Sequence, residues 1–217
     1  MITRILKIDQ YNTADTSLGE IVQLLLNGGI IGYPTETVYG LGVDATNESA
    51  VEKLYSVKGR TDNKPFLVLV ESVAAASALV HTISQEAQIL IDNFWPGALT
   101  LIFTAKERAL PDSLIGPGGT IGLRNSPDPV CKAILERLHK PLVSTSANTP
   151  GASPARSAQD VLMYFEDKID IIVDGGERTV FGPSTVVDVS VFPPRLLREG
   201  ALPKTQIERF VPIVTER

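Results

Sequence analysis

Two segments far apart in the chain carry side chains suited to holding anions. Lys58-Gly59-Arg60 offers two fixed cations, and Ser144-Thr145-Ser146-Ala147-Asn148 adds convergent hydroxyls and a carboxamide. Lysine is a mobile point charge, whereas arginine is a rigid fork matched to two oxygens of a carboxylate or phosphate. Lys64-Pro65 follows closely, so three cations converge where the chain turns back toward a buried strand. Lys58 and Arg60 also have a plainer reading, as charges that complement a helix C-terminus and face solvent. Ser144, Ser146 and Asn148 have one too, as caps of a loop and of the helix after it. The alternative is that Ser144 and Ser146 face a phosphate or substrate while Asn148 meets a base or ribose.

A third segment, Tyr33-Pro34-Thr35-Glu36-Thr37-Val38-Tyr39-Gly40-Leu41-Gly42, reads as a loop of hydroxyls and glycines after a buried strand. Its threonines either stabilise a turn or select a small polar ligand. Glu36 either serves as a helix charge, holds an ammonium, or orients Arg60. No Gly-x-x-x-x-Gly-Lys-Ser/Thr run and no Gly-x-Gly-x-x-Gly fingerprint is present. Arg124 and Arg198 end two strand patterns; they are surface charges or a clamp on a polyphosphate opposite Lys58. Gly182-Pro183-Ser184-Thr185 supplies another small hydroxyl loop. His81, His139 and Cys131 form no ordered nucleophile–base set. Trp95 reads as core. After Gly175-Gly176, Glu177 and Arg178 offer no aromatic lid, so an adenine there would rely on aliphatic packing and backbone hydrogen bonds.

The elements that must position these residues follow from periodicity and punctuation. Helices are expected over Ser17–Leu26, from Asn47-Glu48-Ser49 to Lys58, and over Ser72–Leu79, Ser84–Phe94, Asp128–Leu138 and Ala155–Phe165. Strands are expected at Ile30–Tyr33, Pro65–Val70, Leu99–Thr104, Thr120–Arg124, Pro141–Ser144, Ile171–Val173, Ser184–Val189 and Arg195–Arg198. Interspersed helices and apolar strands indicate an α/β fold with a mixed sheet.

The 217 residues suit one domain, 1–217, with a core of about 17–202 and a short C-terminal tail. A chain of this size buries roughly 70% of its unfolded surface. Hydrophobic residues make up 43% and charged residues 21%, too apolar for disorder. One cysteine and two histidines exclude a disulfide framework and a Cys- or His-based metal cluster, so no metal ligands are assigned. A net charge of -5 argues against a broad nucleic-acid footprint, though not against a brief encounter with one RNA. No leader-like segment or 18-residue apolar run is present, which favours a cytoplasmic protein without a membrane partner.

The ordered motifs Pro34–Gly42, Lys58-Gly59-Arg60, Trp95-Pro96-Gly97 and Ser144–Asn148 together resemble the threonylcarbamoyl-adenylate synthase family, in its single-domain YrdC-like form. Gly182–Thr185 and Leu197-Arg198-Glu199-Gly200 support the likeness, with Glu199 standing where the family commonly has proline. The resemblance implies a twisted, open, mixed parallel/antiparallel sheet with flanking helices and a concave cavity. It implies formation of L-threonylcarbamoyl-adenylate and pyrophosphate from L-threonine, bicarbonate and ATP, with Mg²⁺ carried on the ATP. Downstream threonylcarbamoyl-transfer proteins would then modify adenosine 37 of tRNA, with at most a transient tRNA contact here. By similarity, Lys58 and Arg60 are catalytic and, with Ser144, Ser146, Asn148 and Arg198, bind ATP or the intermediate. Thr35, Tyr39, Lys64, Arg124 and Ser184 would bind threonine or its carbamate. A paralogue of the same fold that binds RNA or ribosomes without adenylate synthesis is the second reading, and a carbamoyl-handling enzyme with another acceptor the third.

Overall fold

The computed structural model describes residues 2–8, 17–59, 65–179 and 182–215. Among these the elements run β1 (Arg4–Lys7), α1 (Ser17–Leu26), β2 (Ile31–Tyr33), β3 (Gly40–Gly42), α2 (Glu48–Lys58), β4 (Leu67–Leu69), α3 (Val73–Leu79), α4 (Gln85–Phe94) and β5 (Leu99–Thr104). They continue with β6 (Thr120–Arg124), α5 (Pro129–Leu138), β7 (Leu142–Ser146), α6 (Ala158–Phe165), β8 (Ile171–Asp174), β9 (Thr185–Asp188), β10 (Arg195–Arg198), α7 (Lys204–Ile207) and β11 (Val214–Thr215). The strands form one open sheet in the order β1-β8-β2-β3-β7-β4-β6-β5-β9-β10-β11. Parallel and antiparallel neighbours are mixed, β4 with β6 being parallel and β4 with β7 antiparallel. This is the expected α/β architecture. No helix of the described residues is long and apolar enough to cross a membrane.

Helix starts follow side-chain chemistry. Asn47, Ser72 and Ser84 each accept an amide of the first turn, at 3.1 Å in every case. Ser157 and Asp160 form a reciprocal capping box. That box explains why α6 begins at Ala158 and not at the expected Ala155. Ala155 N–H is spent on Ala147 O and Arg156 N–H on Asp160 Oδ2.

The two sheet faces are covered unequally. On one face, Leu41, Val68, Leu99, Leu101, Leu123, Val143 and Val187 pack under α2, α3, α4, α6 and α7. On the other, α1 and α5 cover Ile31, Tyr33, Leu69, Leu142, Ile171 and Val173, toward the β1 end only. Each large aliphatic side chain buried this way contributes roughly 1.5–3 kcal/mol. Among the described residues no helix covers the rest of that second face, which is the floor of a cavity.

Four elements were not expected from sequence. β1 is a short edge strand with mostly exposed side chains, and α7 and β11 are only four and two residues long. None has enough apolar periodicity to stand out. The sheet therefore extends beyond 17–202 at both ends. The fourth is β3, where a loop was expected at Gly40-Leu41-Gly42. The glycines hide a strand because they make room for Tyr33: a Cβ on Gly42 would lie 2.7 Å from the Tyr33 ring and 2.9 Å from Val143 O. Gly42→Ala should therefore lower stability by about 1–3 kcal/mol through overpacking. Urea unfolding checks this; an unchanged midpoint would mean that Tyr33 swings aside without cost.

Candidate active site

The uncovered half of the sheet opens into a cavity of about 530 Å³. One face of six consecutive strands supplies its floor: Ser144 and Ser146 from β7, Leu67 from β4, Gly122 and Arg124 from β6, Thr100 and Ile102 from β5, Val186 from β9, and Arg198 from β10. The spacing of two within β7, β6 and β5 is the alternation of a strand, which puts these residues on one face and the aliphatic ones on the other. Thr35, Tyr39, Lys58, Asn148 and Ser184 complete the set of expected site residues lining this cavity. Arg60 and Lys64 lie outside the described residues.

Ser144 and Ser146 stand within β7 and not in a loop after it, which corrects the expected end of that strand at Ser144. The loop that follows is held by Lys58. Its ammonium donates to Ser146 O at 2.7 Å and Asn148 O at 2.5 Å, and reaches Asn148 Oδ1 at 3.4 Å. It also lies 5.9 Å from the centre of the Phe165 ring. Lys58 is only 8% exposed, so the solvent-facing reading does not hold. Ser146 Oγ donates to Asn148 Oδ1 at 2.6 Å, and Asn148 Nδ2 donates to Ala152 O. Gly59, with φ 57°, lets α2 end beside this turn, a left-handed position that favours glycine.

The Thr35–Tyr39 segment is folded on itself. Thr35 Oγ1 donates to Val38 O at 2.7 Å and accepts from Thr37 N–H. Glu36 meets Arg124, 3.1 Å from Nη1, and accepts from Ser126 Oγ. Arg124 is 3% exposed, and its Nε has no hydrogen-bond partner among the described residues. A buried donor without an acceptor is costly unless a ligand supplies one. Tyr39 lines the cavity with its ring, but its hydroxyl is engaged, donating to Gly176 O at 2.9 Å. Burial, ahead of the nearby Asp174, pushes that phenol up to about 12, so it remains a donor.

Arg198 reaches the cavity through an irregularity. Leu196 pairs with Val187 and Arg198 with Val186, so Leu197 is an extra residue in β10. Regular alternation would put Arg198 on the core face; the bulge, with Leu197 left exposed, brings it to the cavity face instead. Arg198 then donates to Ser184 O from Nε (3.2 Å) and Nη2 (2.9 Å). Burial of the head group, and next the Arg124 charge, hold its pKa below the usual arginine value, although the side chain as a whole keeps contact with solvent. Two guanidinium groups thus face the same space, as the polyphosphate-clamp reading requires. Sequence reasoning missed Thr100, whose hydroxyl pairs with Ser184 Oγ at 2.8 Å. The available signal was a hydroxyl between Leu99 and Leu101 in an otherwise apolar strand.

Loss of charge-assisted hydrogen bonds from Arg198→Ala should weaken pyrophosphate binding, measured by calorimetry, by about 10–100-fold. Adding Leu197→Arg to that variant should restore nothing, because position 197 is the bulge. Recovery would show that β10 alternates regularly.

The Sua5/yciO/yrdC family profile, described as Telomere recombination, matches residues 23–200. Threonylcarbamoyl-AMP synthase of Pyrococcus abyssi (strain GE5 / Orsay) is 36% identical over 184 residues, covering 85% of this chain and 54% of the relative. The chain thus spans little more than half of that protein. The enzyme of the same name from Marinobacter nauticus is 36% identical over 182 residues, covering 81% of this chain and 96% of the relative. The crystal structure of P. abyssi Sua5 complexed with L-threonine matches with a TM-score of 0.89 at 32% identity, over 99% of this chain and 63% of that one. By profile, by sequence and by fold, the chain belongs to the Sua5/YrdC family of threonylcarbamoyl-AMP synthase homologues.

Proposed function

We propose that the protein is an L-threonylcarbamoyladenylate synthase, making threonylcarbamoyl-AMP and pyrophosphate from L-threonine, bicarbonate and ATP. The observation that carries this is the charge of the cavity. Lys58, Arg124 and Arg198 line it together with eight hydroxyl-bearing side chains, and no Asp or Glu is among its described lining residues. Such a wall favours anions, and the relative that binds L-threonine shares its fold.

The threonine amine and bicarbonate condense, with loss of water, to a carbamate. A carbamate oxygen attacks the α-phosphorus of ATP, the bond to the β-phosphate oxygen breaks, and pyrophosphate leaves. No covalent nucleophile on the protein is needed. Its task is to align two anions and offset charge on the leaving group, which positioned cations and hydroxyls do well in a partly dry site. Mg²⁺ enters as part of the ATP substrate, in keeping with described lining residues that offer no carboxylate.

In this reading Arg198, Ser144, Ser146 and Asn148 hold ATP or the adenylate, with Lys58 and Arg60 acting on the transferred phosphoryl. Arg124, Thr35, Tyr39, Ser184 and Lys64 hold threonine or its carbamate. The product passes to threonylcarbamoyl-transfer proteins that act on tRNA.

Pyrophosphate release should require ATP–Mg²⁺, L-threonine and bicarbonate together, with the threonylcarbamoyl-AMP mass present. Asn148→Ala should lower kcat/KM by about 100-fold through misplacement of the turn, with folding preserved. Release without threonine, or none at all beside salt-sensitive RNA binding, would overturn the synthase in favour of an RNA-binding paralogue. A near-wild-type rate in Asn148→Ala would sink this site assignment.

A further inference from the structure

Arg178 is not a lining residue of the cavity, yet it is held from every side. Its Nη1 donates to Asp128 Oδ2 at 2.5 Å, and its Nη2 donates to the carbonyls of Gly175 and Gly176. Its own N–H donates to Arg156 O at 2.8 Å, and its carbonyl accepts from Arg156 Nε at 2.9 Å. Asp128 is buried. It accepts the first-turn amides of Val130 and Cys131 on Oδ1 and donates its N–H to Ser126 Oγ at 3.2 Å.

From there two routes lead to the cavity. Ser126 Oγ donates to Glu36, whose other oxygen faces Arg124. On the opposite side, Tyr39 OH donates to Gly176 O and accepts from Gly175 N–H at 3.2 Å. From the outside inward, Arg178, Asp128, Glu36 and Arg124 therefore form a row in which two carboxylates lie between two guanidinium groups.

We propose that Asp128 and Arg178 are a positioning couple for the cavity, holding Arg124 in place through Ser126 and Glu36 and holding Tyr39 through the Gly175-Gly176 turn. The proposed function enters only in naming the anion, the carboxylate or carbamate of L-threonine. The couple works by charge balance. Glu36 and Asp128 are two carboxylates bridged by one serine, and among the described residues Arg178 and Arg124 are the cations paired with them at the two ends. Burial raises the Asp128 pKa and Glu36 adds to the rise, while the α5 amides and Arg178 oppose it. Among the described residues Tyr39 and Cys131 also face it, both themselves raised by burial. Without Arg178, Asp128 either repels Glu36 or takes up a proton, and in both cases the grip of Glu36 on Arg124 shifts.

The test compares Arg178→Met, Asp128→Asn/Arg178→Met and wild type by steady-state kinetics and by L-threonine calorimetry. Arg178→Met should raise the threonine KM and Kd about tenfold, with the ATP KM within about twofold of wild type. The double variant strands no charge and keeps a side-chain oxygen to cap α5, so its threonine KM should return to within about threefold of wild type. Equal rises in both KM values, a fall in kcat alone, or a double variant no better than the single would overturn the couple. Should Arg178→Met not fold, Arg178→Lys carries the same comparison, keeping the charge but not the fork, with a smaller shift of the same kind expected. A crystal structure of the folded variant reads the couple without any substrate. An opened Glu36–Arg124 contact is expected, and an unchanged contact overturns the inference. Wild-type protein indifferent to threonine would remove the synthase reading and leave that structural arm standing.

Discussion

Helices roof one face of the sheet along its length but the other face only toward β1, and most of the molecule follows from that inequality. Where α1 and α5 lie over the second face, the strands present Ile31, Leu69, Leu142 and Val173 to them. Where they do not, the same face of β7, β6 and β5 carries Ser144, Ser146, Arg124 and Thr100. A sheet exposed on one side can tolerate polar residues there without losing the core on its other side. The site therefore shares only Tyr39 and Phe66, among its described lining residues, with the main hydrophobic cluster, and the strand side chains of its floor can be chosen for chemistry.

A half-roofed cavity still excludes enough water to make its charges expensive. Arg124 is tolerated because Glu36 stands beside it, and Glu36 because Ser126 and the α5 cap stand behind it. Asp128 in turn needs Arg178. Breaking one member of such a row leaves its neighbour buried and unpaired, which costs more than the pair contributes. Arg198 is placed differently: it leans on Ser184 O, an uncharged acceptor, and stays partly solvated. Its charge is thus less offset by the protein than that of Arg124, and it faces the same cavity.

Local signals found the long periodic elements and the serine, threonine and arginine residues of the floor. Ser72, Ser84 and Asn47 marked helix starts because a cap acts within three residues of itself, and Leu99–Thr104 read as a strand because its apolar run ended in turn residues. What escaped depends on partners far along the chain. β3 is a strand only because Tyr33 needs the space its glycines leave. Arg198 faces the cavity only because β10 gains a residue against β9. Arg178 looks like any charge beside a glycine turn until Asp128, fifty residues earlier, is brought to it. Spacing within one segment cannot express any of these.

Lys58 shows why much of this positive charge is structural before it is chemical. Its ammonium is already bonded to Ser146 O and Asn148 O, so a phosphate must share that group with the backbone. The first effect of the lysine is to fix the turn on which Ser146 Oγ and Asn148 Oδ1 are paired. Tyr39 fixes the same turn from the other side, its carbonyl accepting the Ala147 N–H and its amide donating to Ala155 O. Donors held this way need not reorganise as charge develops on a reacting phosphoryl group, and electrostatic stabilisation is greatest when that cost has been met during folding. Among the described residues, the cations with capacity left are Arg124, through its unpartnered Nε, and Arg198, through its weakly offset charge. An anion entering between them meets groups already in position, and the rows of bonds behind Arg124 and Lys58 keep them there.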